Sequence, residues 1–157
     1  MTISISRKSC AQLLREISAF YPNQKGKYMA EKYLHSDITN LILRAFYKVY
    51  NQLGYGFLEK VYENAMLIEL RKLGLYCKQQ EPIKVYYDSL EVGNYFADII
   101  VNDVVILELK ATEGIREDHL CQLVNYLKAT NIEVGLLLNF GLEPQHNRRV
   151  FSNSYKM

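Results

Sequence analysis

Beginning at Ser36-Asp37, residue types favoured at helix N-termini, apolar side chains recur at Ile38, Leu41, Ile42, Ala45, Val49 and Leu53, and Gly54 closes the run. That spacing predicts an amphipathic helix. Past Gly54-Tyr55-Gly56, the stretch from Leu58 to Leu73 predicts a second helix with Val61, Ala65 and Ile68 on one face and Gly74 as its stop. At Tyr76 the period changes from helical to alternating. Tyr76–Gln80, Ile83–Tyr87, Asn94–Val101 and Val104–Lys110 read as four extended segments, separated by Glu81-Pro82, Asp88-Ser89 and Asn102-Asp103. Such short turns predict an antiparallel meander. A 3.6-residue period returns over Arg116–Ala129 through Leu120, Leu123, Val124 and Leu127. Glu133–Asn139 is then almost continuously apolar, as in a strand buried on both faces and reached by a right-handed crossover. The order α-α-βββ-α-β predicts one α/β domain over residues 36–157, a mixed β-sheet with an antiparallel meander flanked by helices. Residues 1–35 show only a weak helical pattern (Ile5, Leu13, Leu14, Ile17), broken by Tyr21-Pro22-Asn23 and Gly26, and read as an appendage.

Composition narrows the class. The chain has 157 residues, 49% hydrophobic and 23% charged, which excludes wholesale disorder and low-complexity fibre. At this length roughly 70% of the chain's surface can be buried, so a true core is expected. The longest apolar run, Val134–Phe140, is strand-sized and far short of the ~20 residues of a membrane span. Three cysteines, Cys10, Cys77 and Cys121, form no CxxC pair, and no signal-peptide pattern opens the sequence. A cytoplasmic protein without disulfides or a thiolate metal site is expected. The net charge of +2 conceals an asymmetry: residues 1–36 hold six Lys/Arg against two acids, and the rest of the chain is net acidic. A basic arm suits a polyanion partner, and equally a solvated tail.

Three charges stand inside otherwise apolar strands: Asp98 in Ala97–Val101, and Glu108 and Lys110 in Val104–Lys110. A carboxylate in a packed sheet is costly unless paired, hydrogen-bonded or bound to a cation. Glu108 and Lys110 are two apart and share a face. Joined by Asp98, they would set two hard oxygen ligands beside one ammonium, an arrangement suited to Mg²⁺ or Mn²⁺ and a phosphodiester. The alternative is a half-exposed strand carrying an ordinary surface pair. Strand parity separates the two. A two-residue Asn102-Asp103 hairpin would put Asp98 opposite Leu107, with Asp98 and Glu108 on opposite faces; a three-residue Asn102–Val104 loop, or a bulge, would put Asp98 opposite Glu108. We expect an odd loop or a bulge between Ile99 and Ile106, with Asp98, Glu108 and Lys110 converging near Glu59.

The arrangement Asp98 … Glu108-Leu109-Lys110 resembles the PD-(D/E)xK nuclease superfamily. Gly56-Phe57-Leu58-Glu59-Lys60-Val61-Tyr62 resembles the signature of the GxxExxY proteins within it, and Gln122-Leu123-Val124-Asn125-Tyr126 is similar to the QxxxY element of several such nucleases. Ala97 stands where the superfamily's name has proline. The resemblance implies a restriction-endonuclease-like core and Mg²⁺- or Mn²⁺-dependent hydrolysis of phosphodiester bonds in nucleic acid, DNA ahead of RNA. It implies Asp98 and Glu108 as metal ligands, Glu59 completing the metal shell, and Lys110 orienting the attacking water and scissile phosphate. Gln122 and Tyr126 would contact the substrate backbone or hold Lys110. The alternative is a catalytically silent nucleic-acid-binding or assembly subunit; a third reading, a protein-interaction domain, rests on tyrosine content alone.

Each residue also has a plainer reading. Glu59 suits the helix macrodipole, Gly56 the turn, and Tyr62 and Tyr126 the core or its boundary. His119 reads as a partly exposed helix residue. Arg148-Arg149 could grip phosphates or form a solvated pair. The thirteen tyrosines fit strand packing better than a stacking platform for unpaired bases. The basic arm is expected to add nucleic-acid affinity without catalytic groups. No nucleotide-binding loop, zinc-ligand cluster or nucleophile elbow is present in the sequence.

Overall fold

The computed structural model describes residues 33–156, and every described element lies in the unit that begins at Leu34. The basic charges, helical pattern and Cys10 of residues 1–32 lie outside the described residues. The elements are α1 Ser36–Leu53, α2 Glu59–Lys72, β1 Cys77–Tyr87, β2 Leu90–Val101, β3 Val105–Lys110, α3 Glu117–Ala129, β4 Val134–Phe140, β5 Pro144–Val150 and a 3₁₀ turn Asn153–Tyr155. Among the described residues no helix is long and apolar enough to cross a membrane, and Cys77 is a free thiol.

Helix α1 buries Ile42, Ala45 and Val49 of the stripe its spacing predicts, and Phe46 beside them. Neither Ser36 nor Asp37 caps it. His35 is the N-cap, in left-handed geometry at φ 55°, and Ser36 is already helical with Asp37 in the positive first turn. Helix α2 corrects a predicted face. Val61 and Ile68 are exposed, and the buried line runs through Tyr62, Met66 and Leu70. Tyr62 decides the rotation. Its ring stacks on Phe140 of β4, 4.2 Å between centroids. Its hydroxyl donates to the Gly54 carbonyl at 2.8 Å and accepts the Phe57 N–H at 3.2 Å. One side chain therefore joins α2 to the sheet and closes the α1–α2 turn, where Gly56 takes φ 107°, a conformation a side chain would strain. At the other end, Leu75 N–H bonds Leu70 O and Gly74 N–H bonds Arg71 O, the paired pattern that satisfies a helix's last carbonyls.

The five strands lie in the order β1-β2-β3-β4-β5. β3 and β4 pair in parallel and every other neighbouring pair is antiparallel. Two sequence expectations change here. β1 runs unbroken through Glu81-Pro82, because it is an edge strand, where half the backbone N–H groups meet no neighbour and a proline is tolerated. β5 has no counterpart among the predicted elements, since Pro-Gln-His-Asn-Arg-Arg-Val lacks strand alternation. Pairing along the whole of β4 supplies what its side chains do not. Arg148 in β5 donates to the Leu34 carbonyl at 2.7 Å and reaches Thr39 Oγ1, while Arg149 bonds Asn147 Oδ1 and the Arg148 carbonyl. Both are committed to the fold rather than offered as a phosphate grip.

The sheet is covered on both faces. Ile99, Val101, Val105, Leu107, Leu109, Leu136 and Leu138 pack on α1 and α2. Ile100, Ile106 and Leu137 pack on α3 through Leu123 and Leu127. Helix α3 lies so close to β4 that a Cβ on Gly135 would stand 2.6 Å from Leu123 Cδ1. This is the crossover that the apolar run after α3 predicts, and it brings one face of α3 to the sheet face bearing Glu108 and Lys110.

The Tyr62 contacts divide into ring and hydroxyl. Tyr62→Phe keeps the stacking and leaves the Gly54 carbonyl and Phe57 N–H short of a partner, so urea unfolding should show a loss of about 1–2 kcal/mol. Tyr62→Ala should cost about 3–5 kcal/mol. Equal losses for the two variants would mean that the ring packing contributes nothing.

Candidate active site

The turn from β2 to β3 sets the register of the charges. Asn102 and Asp103 take φ 50° and 57°, Val104 N–H bonds Val101 O, and the first cross-strand pair is Val101↔Val105. The loop is thus the three residues Asn102–Val104. Ile100↔Ile106 and Ile99↔Leu107 come next, and the same register carries Asp98 beside Glu108. There the main-chain pairing ends. The Asp98 carboxylate takes over, Oδ2 accepting the Leu109 N–H at 2.8 Å. Lys110 Nζ stands 3.4 Å from Glu108 Oε1. The next loop is held by Asn139, opposite Lys110 on β4: Oδ1 accepts the Thr112 N–H and Nδ2 donates to the Thr112 carbonyl, each at 3.0 Å. That clamp fixes where β3 ends and hence where the Lys110 stem starts.

Burial shapes the electrostatics. Glu108 is only 3% exposed, and its Oε2 is buried without a hydrogen-bond partner. Burial, then the nearby Asp98 charge, pushes its carboxyl up to about 8, against the opposing pull of Lys110. Burial also raises Asp98, with the Glu63 charge adding to it and the Leu109 N–H and Gln80 amide working against it.

Glu63 and Gln80 belong to the site without any signal in the sequence pattern. Glu63 is buried on α2 and accepts from Gln79 Nε2 at 2.6 Å, from Lys60 Nζ at 3.0 Å and from Gln80 Nε2, which stands 3.2 Å from both its oxygens. The same Gln80 amide lies 3.3 Å from Asp98 Oδ1, so it bridges the two acids. Gln80 does this from φ 51° inside a strand, a rare conformation for a residue with a side chain. A carboxylate on a helix next to a tyrosine carries no periodic signal, and a strained strand residue carries none in a single sequence.

The remaining predicted residues fall into place unevenly. Glu59 is exposed in the first turn of α2, and its charge reaches Glu108 and His119. Gln122 Nε2 donates to the Tyr126 hydroxyl at 2.6 Å, and that phenol is raised by burial and then by the charges of Glu108 and Asp98. Tyr126 therefore borders the acids from α3, with Gln122 bonded to it. His119 is buried at 7% rather than partly exposed. Its Nδ1 accepts the Arg116 N–H at the start of α3, and burial lowers its pKa.

The donor chemistry fits a hard divalent cation. Such an ion uses one or two carboxylates and completes its shell with water and phosphate oxygens. The unpartnered Glu108 Oε2 beside Asp98 is a buried oxygen that a cation would satisfy. Among the described residues no group of three or more His, Cys, Asp or Glu side chains is arranged to hold a metal ion, so Asp98 and Glu108 are the acids this geometry offers a cation. No curated protein and no solved structure matches the chain. A family model described as the PD-(D/E)XK nuclease superfamily matches residues 36–150, which contain the paired acids, the lysine, all three flanking helices and all five strands. The chain belongs to the PD-(D/E)XK nuclease superfamily.

Proposed function

We propose that the protein is a metal-dependent nuclease that hydrolyses phosphodiester bonds in nucleic acid, DNA in preference to RNA. The observation that carries this reading is the Asp98–Glu108 pair, with one Glu108 oxygen buried and unpartnered in an apolar sheet. Asp98 and Glu108 would hold Mg²⁺ or Mn²⁺. When bound, such an ion lowers the pKa of a water and offsets charge developing on the phosphate. Lys110, on the same face, offers a compact ammonium to the attacking water or a non-bridging oxygen. Glu59, at the mouth of α2, adds negative charge that favours the cation. Gln122 and Tyr126 offer an amide and a phenol to the substrate backbone from α3. The Gly56 to Tyr62 segment supports membership of the GxxExxY proteins: Gly56 and Tyr62 form the turn that starts α2 at Glu59. We also assign the residues before Leu34 as a basic appendage, two residues shorter than the sequence suggests because Leu34 and His35 belong to the folded unit, and place the protein in the cytoplasm, in keeping with its cysteine usage.

A panel of labelled oligonucleotides tests this. Wild type should cut with Mg²⁺ or Mn²⁺ and stop in chelator. Asp98→Ala, Glu108→Ala and Lys110→Ala should each reduce the rate by at least about 10³-fold while keeping the wild-type circular dichroism spectrum. Undiminished cutting in chelator, or by all three variants, would end the proposal. Wild-type binding without any cutting would leave a silent binding or assembly subunit instead.

The protonation of Glu108 gives a second test. Its folded pKa, about 8, lies above its ordinary 4.5, so between these values the folded state binds more protons than the unfolded one. Metal-free stability must then fall as pH rises through that window, and the raised Asp98 acts in the same direction. A cation has to displace the same proton, so its binding strengthens over the same rise. Thermal melts in chelator should decline between pH 5 and 8, the Mg²⁺-induced rise in Tm should grow, and Glu108→Gln should flatten both trends. A wild-type profile as flat as that of Glu108→Gln would show that Glu108 is already ionised at low pH.

A further inference from the structure

Beyond Asp98 the β1–β2 ribbon leaves the rest of the sheet, and a groove of about 750 Å³ opens between it and α3. Its walls include Lys84, Tyr86 and Tyr95 from the ribbon and Gln122, Asn125 and Lys128 from α3. We propose that this groove holds the bases of an unpaired strand whose scissile phosphate lies at Asp98 and Glu108, making the substrate single-stranded nucleic acid or a single-stranded flap. The proposal rests on the nuclease reading and deepens it.

Three observations support it. The groove reaches toward the acids through Tyr126, which lines it, is held by Gln122 at 2.6 Å and stands near enough to Glu108 and Asp98 to be raised by their charges. Its aromatic surface is open. Tyr86 and Tyr95 are 59% and 51% exposed, contrary to the strand packing that the sequence suggests for the tyrosines. Tyr95 also tilts against Tyr126 with 5.9 Å between centroids. The ring has a prepared seat, since a Cβ on Gly93 would come within 3.2 Å of Tyr95 Cε2. Finally, the polar groups suit a nucleotide. Asn125 can meet a base edge, and Lys84 and Lys128 bring positive charge to the walls, although Lys84 also pairs with Glu91 at 3.0 Å and Lys128 stands 5.6 Å over the Phe151 ring. The acid on the wall, Asp118, is already paired with Arg116 at 2.6 Å. A duplex would turn its backbone to these rings and keep its bases stacked inside; only a strand with free bases can use them.

The test is fluorescence anisotropy of the full-length protein in chelator, with a labelled oligothymidine and a blunt hairpin duplex of equal nucleotide count, and then cleavage with Mg²⁺. We expect the single strand to bind at least tenfold tighter than the duplex. Tyr95→Ala and Tyr86→Ala should each weaken single-strand binding about tenfold, with duplex binding unchanged. Tyr95→Phe should retain affinity, because the ring and not the hydroxyl is used. Tyr87→Ala, 70% exposed and outside the groove, should match wild type. Equal affinity for the two forms, or single-strand binding untouched by both alanine variants, would overturn the proposal. Ring-dependent single-strand binding without any cutting would defeat the nuclease reading and leave the groove assignment standing; cutting of duplex, indifferent to both rings, would do the reverse.

Discussion

Where β2 and β3 stop pairing, a side chain does the work of a main chain: the Asp98 carboxylate, not a backbone carbonyl, receives the Leu109 N–H. Much of the site depends on that substitution. It holds Asp98 at the sheet, beside Glu108, instead of letting it swing to solvent. It thereby forces two carboxyl groups into one apolar neighbourhood, where both resist ionisation. Lys110 is a single ammonium, 3.4 Å from one oxygen of Glu108, and cannot neutralise two acids. The charge balance closes with a proton or with a cation, and those two states are linked by pH.

Comparison of the buried glutamates isolates the unusual one. Glu69 sits between Lys48 at 2.7 Å and Lys72 at 3.0 Å, and these lysines hold its pKa down. Glu63 accepts from Lys60 and two glutamine amides. Glu108 has Lys110 on Oε1 and nothing on Oε2. Ordinary protein chemistry satisfies buried carboxylates, as it does the first two. The oxygen left over in the third is what sets Glu108 apart from the other two.

Helix α1, the helical span of α2, the crossover helix α3 and strand β4 can be read from the sequence, because each has a long apolar period. The Asp98–Glu108 register is also legible, since only an odd loop puts both acids on one face. What escapes the sequence depends on contacts distant along the chain. The buried face of α2 is chosen by Tyr62 meeting Phe140, some eighty residues away. β5 is a strand because β4 offers it an edge. The break expected at Glu81-Pro82 is absent because β1 has a neighbour on one side only. Glu63 and Gln80 become visible only when α2, β1 and β2 are brought together.

Gln80 shows how far the fold goes to support the acids. A left-handed conformation at a non-glycine residue costs on the order of 1–3 kcal/mol, and nothing in its local sequence demands it. An ordinary strand conformation would relieve that strain and withdraw an amide from both Glu63 and Asp98. The strained conformation instead keeps that amide 3.2 Å from Glu63 and 3.3 Å from Asp98. The chain also changes faces here. Ile99 belongs to the core under α1 and α2, whereas Ala97, two residues earlier and so of the same parity, belongs with Ile83 to the core under α3. A regular ribbon would keep both on one side. The twist at Gln80 and Asp98 therefore serves two ends: it ties the α2 acid to the strand acid, and it turns the free end of the ribbon toward α3, where the groove beside Tyr126 is formed.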